Sequence, residues 1–147
     1  MSKGMERRVA LWAVAAATLF AAGCGGGSYI RARLERPVQY EQPVWVGVYF
    51  LSQESALDGV ETSKLIDSPD SYGESAGVID REVFPVYPGA DVHTVLREKY
   101  DPRIAWVLFV AFPKGEACSR QKLAVKKDAE LTLTVSVEEQ CLVVKKK

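Results

Sequence analysis

The segment Leu131 to Val137 reads Leu-Thr-Leu-Thr-Val-Ser-Val, and its strict alternation of apolar and small polar residues constrains the fold more than any other feature. Side chains in a strand point to opposite faces in turn, so Leu131, Leu133, Val135 and Val137 are expected inside and Thr132, Thr134 and Ser136 outside. No helix satisfies that period. Glu138-Glu139-Gln140 then makes a turn into a second strand from Cys141 to Val144. Two further runs are apolar on both alternating faces. Val44 to Leu51 (VWVGVYFL) follows Pro43, and Ile104 to Phe112 (IAWVLFVAF) stops at Pro113. Such runs fit central strands covered on both sides, or a strand whose outer face meets a partner. Shorter candidates are Glu82 to Tyr87, ended by Pro88-Gly89, and Val92 to Arg97.

One stretch breaks the pattern. Ser52 to Asp67 has few β-branched residues and spaces Leu57, Val60 and Leu65 as a short helix would, with Gly59 as a weak point. Ser68 to Gly77 is loop by composition. Many short strands with one helical insertion predict an all-β fold, a two-sheet β-sandwich.

The chain starts with Lys3, Arg7 and Arg8 against Glu6, followed by an uncharged apolar run of fourteen residues, Val9 to Ala22. A bilayer span needs about 20 residues. A charged start, a short apolar core and small residues before a cut site make a secretory leader. The ending Leu19-Phe20-Ala21-Ala22-Gly23-Cys24 predicts a lipoprotein leader over residues 1–23, cut between Gly23 and Cys24, with lipid on the Cys24 thiol. The alternative is an ordinary leader that happens to end near a cysteine. Several acyl chains (diacylglycerol plus a palmitate-like amide) would hold firmly, since each buried methylene contributes about 0.8 kcal/mol. Gly25, standing where an aspartate would retain the protein at the inner membrane, favours the periplasmic face of the outer membrane. Gly25-Gly26-Gly27-Ser28 is a tether of four residues, reaching at most roughly 14 Å. A domain over residues 29–147 would therefore sit close to the headgroups. Arg31, Arg33 and Arg36 could touch anionic lipid; the alternative is a solvated strand face, since Ile30, Ala32 and Leu34 alternate with Arg31, Arg33 and Glu35.

The whole chain carries 19 basic and 19 acidic residues; the leader takes three basic and one acidic, leaving 16 and 18 and a net charge of −2. No basic excess remains for a nucleic-acid backbone. Beyond Cys24, Cys118 and Cys141 form an even pair in an oxidising compartment. A bridge would close a 24-residue loop, contributing roughly 3–4 kcal/mol in the chain-entropy model. Two separate buried thiols are the alternative.

Catalytic constellations are not legible. His93 is the sole histidine, far more often a surface or capping side chain than a ligand. No His/Cys cluster has zinc-site spacing, no nucleophile accompanies His93 in a motif, and the carboxylates are scattered. These features predict a non-enzymatic binding or structural module without cofactor, metal or small-molecule substrate.

The order of elements resembles the TssJ family, outer-membrane lipoproteins of type VI secretion systems. Val44 to Leu51, ending Tyr49-Phe50-Leu51, resembles that family's early strand; the helical Ser55 to Ile66 follows it directly. Asp80 to Gly89 (DREVFPVYPG) resembles the acidic stretch leading to a Pro-Gly turn, followed by Ile104 to Phe112 and the final hairpin. The resemblance implies a transthyretin-like sandwich with a short helical addition, and a scaffold that holds the periplasmic part of the inner-membrane protein TssM. Two departures stand out. The loop between the first two strands, which contacts TssM in the family, is long there but here only Arg36 to Pro43; Cys118-Ser119-Arg120 replaces a Trp-Arg pair. Pro37, Val38, Gln39, Tyr40, Glu41 and Gln42 are the implied contact residues. Tyr40 would be the anchor, or a strand-edge aromatic packed on its own domain. The competing function is an unrelated sandwich lipoprotein that binds a small ligand, a glycan or another envelope protein.

Overall fold

A computed structural model describes residues 29–89, 94–99, 101–111, 118–126, 131–138 and 141–146, with side chains for all but Tyr29 and residues 94–99. The leader, Gly23, Cys24, the tether to Ser28, His93 and Phe112 lie outside the described residues. Among the described residues eight strands form two four-stranded sheets. In chain order they are β1 (Tyr29–Glu35), β2 (Val44–Leu51), β3 (Val78–Val86), β4 (Thr94–Lys99), β5 (Trp106–Ala111), β6 (Arg120–Ala124), β7 (Leu131–Val137) and β8 (Leu142–Lys146). The first sheet runs β4-β1-β7-β8 and the second β3-β2-β5-β6. All pairs are antiparallel except β1 with β7.

The main core is made by the inner faces of both sheets. Ile30, Ala32 and Leu34 of β1 and Leu131, Leu133, Val135 and Val137 of β7 meet Val46, Val48 and Phe50 of β2 and Val107 and Phe109 of β5. Thr132, Thr134 and Ser136 remain partly exposed, as the alternation predicts. The doubly apolar runs have a separate cause. Tyr49, Leu51, Leu108 and Val110 on the outer face of the second sheet form another core with Ala56, Leu57, Leu65 and Val78. The segment between β2 and β3 is folded over that face, so both central strands are buried on both sides.

Gly47 leaves room beneath the insertion for the side chains of the central strands. A Cβ there would stand 2.7 Å from Val110 Cγ2 of β5 and 3.2 Å from the Tyr49 ring, so a side chain at this position would force Val110 to shift. The insertion is less helical than its spacing predicts. Residues 54–59 form turns, with Leu57 at a positive φ of 66°. Only Thr62–Asp67 is α-helix (α1), since Gly59 and the turn before it stop the helix from starting at Ser52. The expected loop over 68–77 contains two 3-10 turns, Pro69–Ser71 and Glu74–Ala76. Its end closes on its beginning, Ser52 N–H donating to the Gly77 carbonyl at 2.9 Å.

Several boundaries shift. β3 starts at Val78 rather than Glu82, and β5 starts at Trp106, after buried Ile104; β4 is described over Thr94–Lys99, the expected start at Val92 lying outside the described residues. β6 has no counterpart in the expectations: Arg-Gln-Lys-Leu-Ala has no β-branched residue and, among the described residues, pairs with β5 alone at the end of the sheet order. Cys118 and Cys141 are joined by a disulfide with Cα atoms 4.4 Å apart. It links the segment leading into β6 to that leading into β8, clamping the two sheets along one side. Beside it the Leu142 N–H donates to the Cys118 carbonyl at 3.0 Å.

Candidate functional site

The loop between β1 and β2 crosses from one sheet to the other, and Arg36 organises it. The expectation of a lipid-touching Arg36 does not hold, because its side chain turns inward and the residue is only 9% exposed. Its Nε donates to the Gln42 carbonyl at 2.7 Å and its Nη1 to the Val137 carbonyl at the end of β7, at 3.1 Å. The guanidinium carbon lies 4.6 Å from the Tyr40 ring centroid, at stacking distance. The Arg36 carbonyl accepts from the Gly89 N–H at 3.1 Å. One side chain thus ties both ends of the loop to β7, while its backbone meets the chain leaving β3.

Of the six expected contact residues, Tyr40 is half-buried against Arg36, so the structure places it on its own domain. Its N–H donates to the Pro37 carbonyl at 3.1 Å, closing a turn. Val38 stands at the tip, 73% exposed, flanked by Gln39, with Glu41 and Gln42 also exposed and Pro37 half-buried. A compact turn supported from beneath presents Val38 as its apolar point.

Two aromatic residues missing from the expected set lie at the same end. Tyr87, 53% exposed, sits between Val86, paired with Val44, and Pro88, bridged to Arg36. It therefore adjoins both ends of the loop. Trp45, also 53% exposed, points from β2 to the outer face of the second sheet. There the insertion leaves a groove of about 420 Å³ lined by Pro43, Val44, Trp45, Ser63, Ile66 and Asp67. The signal for Trp45 was present in the doubly apolar run: alternation puts it on the outer face, just past the insertion's cover.

The rest of the insertion is held rigidly. Arg120 donates to the Val60 and Leu57 carbonyls at 2.7 and 2.9 Å, and burial pulls its guanidinium below the usual arginine range. Lys122 reaches the Glu54 carbonyl and Asp58 Oδ1. The Tyr49 hydroxyl donates to the Leu65 carbonyl of α1, and burial pushes its phenol up to about 12. Exposed Arg103 pairs with Asp101 and Glu74 at 2.9 and 3.1 Å, and its hydrogen bonds hold the Asp101 carboxyl below the usual range. Among the described residues no group of three His, Cys, Asp or Glu side chains is placed to hold a metal.

No protein-family model matches the chain, and comparison with curated proteins by sequence finds no match. Solved structures do match. The T6SS lipoprotein TssJ1 from Pseudomonas aeruginosa superposes with a TM-score of 0.68 at 16% identity, over 82% of this chain and 97% of that one. Serratia marcescens Lip, a membrane-bound component of the type VI secretion system, gives 0.68 at 15% identity, over 82% and 98%. A chain of a type VI membrane complex gives 0.62 at 13% identity, over 81% and 98%. The fold is the TssJ-like β-sandwich that the order of elements indicated.

Proposed function

We propose that this chain is a divergent TssJ-like lipoprotein, anchored by lipid on Cys24 at the periplasmic face of the outer membrane, and that it works as a scaffold in a type VI secretion membrane complex. The observation that carries the reading is the shared fold, which spans nearly the whole length of TssJ1 and of Lip. The leader ending in Gly23-Cys24 is the independent support from the sequence. On this reading residues 1–23 are removed, residues 24–28 are the lipidated tether, and the sandwich follows. The partner is the periplasmic part of a TssM-like protein, and the role is non-catalytic, in keeping with a sole histidine and scattered carboxylates.

The surface best suited to the partner is the loop end. Pro37 to Gln42 supply the edge, with Val38 at the tip, and Tyr87 and Trp45 add apolar area beside it. Aromatic residues in such positions dominate binding energy. This is how a short loop substitutes for a long one: preorganisation by Arg36 lowers the ordering cost that binding would otherwise carry. Calorimetry of the folded periplasmic domain with the folded periplasmic part of a cognate TssM-like protein is expected to show association, weakened about tenfold or more by Val38→Ser with Trp45→Ala, a typical hot-spot effect. No heat of association would sink this reading. The second reading, a ligand- or glycan-binding sandwich, rests on the Trp45 groove, and gains if Trp45→Ala abolishes sugar binding instead.

A further inference from the structure

The outer faces of the two sheets differ. The second is covered by the insertion. On the first, β1 contributes Arg31, Arg33 and Glu35, β7 contributes Thr132, Thr134 and Ser136, and β8 contributes Lys145. The pairing sets Arg31 opposite Thr132, Arg33 opposite Thr134, and Thr134 in turn opposite Lys145. Residues paired directly across strands share a face. Arg31, Arg33 and Lys145 are exposed and the hydroxyl residues partly so. In the β4 register, Arg97 stands opposite Arg31 and Lys99 opposite Tyr29. Glu35 is the one acidic side chain on this face among the described residues, 3.7 Å from Arg33 Nε. Val143 stands opposite Ser136 and Val95 opposite Arg33 in the same registers. Both arginines also engage neighbours within the domain; what matters is the excess of positive charge on a face that also offers three hydroxyls. That excess contrasts with a mature chain whose net charge is −2.

We infer that this face is a docking surface for an anionic phospholipid leaflet, orienting the domain on its membrane. The inference rests on the Cys24 anchor of the proposed function for its setting, and on charge complementarity for its occupant. Arginine and lysine are attracted to anionic headgroups, and threonine and serine hydroxyls offer donors to phosphate oxygens. β1, which carries both arginines, is also the strand entered directly from the tether. A four-residue link holds the start of β1 within roughly 14 Å of the anchor. Weak attraction suffices under that constraint, because tethering makes the contact intramolecular. Docked so, the insertion-covered face and its Trp45 groove turn away from the bilayer toward the periplasm.

A chain starting at Gly25 contains every buried residue of both cores, from Ile30 to Leu142, and so carries the whole fold without the anchor. That soluble chain is mixed with vesicles of phosphatidylcholine alone, or of phosphatidylcholine and phosphatidylglycerol in equal parts, and sedimented. Binding is expected to the anionic vesicles only and to fade at high ionic strength, since screening shortens the reach of surface charge to about 10 Å or less. Arg31→Gln, Arg33→Gln and Lys145→Gln should each weaken it about fivefold. Lys64→Gln, on the opposite side and 63% exposed, should leave it unchanged. No preference for anionic vesicles at low salt would overturn the inference, as would an equal loss from Lys64→Gln. The soluble chain lacks Cys24, so either failure leaves the anchor and the partner reading standing.

Discussion

Tyr49 shows how much one hydroxyl is asked to do. It lies on the outer face of β2, fully buried under the insertion, and its phenol donates to the Leu65 carbonyl. The neutral phenol is the form the folded state favours, because burial raises its pKa from 10.0 to about 12, against a smaller opposing pull from Arg81. Below pH 10 folded and unfolded chains both keep the proton, and its contribution is constant. Between 10 and 12 the unfolded chain releases the proton and the folded one does not, so stability falls as pH rises. Tyr49→Phe leaves a buried carbonyl without its donor and should cost about 1–3 kcal/mol at neutral pH. The gap between the two proteins should narrow from pH 10 to 12 in denaturant titrations. A gap that stays constant across that window would show that the phenol does not titrate as its burial requires.

At the scale of elements, the insertion over 52–77 and the edge strand β6 depend on each other. The insertion covers β2 and β5 with Ala56, Leu57 and Leu65, while Arg120 of β6 reaches back to the Leu57 and Val60 carbonyls. Truncating Arg120 removes two charge-assisted hydrogen bonds that hold the turn where Leu57 adopts a positive φ. Arg120→Ala should lower unfolding free energy by about 2–4 kcal/mol and open the 52–60 segment to proteolysis before the rest of the domain. Equal cleavage rates in both proteins would show the insertion to be held by its apolar contacts alone. This pairing also explains what the sequence could and could not reveal. Leu131 to Val137 was legible because strict alternation has one meaning. Val44 to Leu51 was legible as a strand but not in its surroundings, since a helical cover and a partner protein leave the same apolar signature on its outer face. β6 was not legible, because its side chains are chosen to staple the insertion rather than to pack a sheet. Arg36 stands close enough to Arg31 and Arg33 to read as one basic cluster, yet strand parity sets it with Ile30, Ala32 and Leu34, and the tertiary fold supplies the Val137 and Gln42 carbonyls that draw it inward.

For the whole molecule the question is how a small sandwich is held and which way it faces. The disulfide clamps the β6 and β8 side, the loop end gathers Val38, Trp45 and Tyr87, and the hydroxyl-and-arginine face lies on the first sheet, whose β1 begins immediately after the tether. On the proposed reading these surfaces act together only if the chain is tied down at residue 24. Charge attraction of a few basic residues is reversible, whereas several acyl chains are not on the time scale of an assembled complex. Cys24→Ala should therefore accumulate unprocessed precursor that still carries residues 1–23, detectable as a heavier band by mass spectrometry of the membrane fraction. Loss of processing separates the lipoprotein leader from an ordinary one, which cuts without needing a cysteine. Normal cleavage together with retained membrane attachment would refute lipid on Cys24. The domain would then have to find its place by its surfaces alone, and the strength of the basic face measured on vesicles would set how far that is feasible.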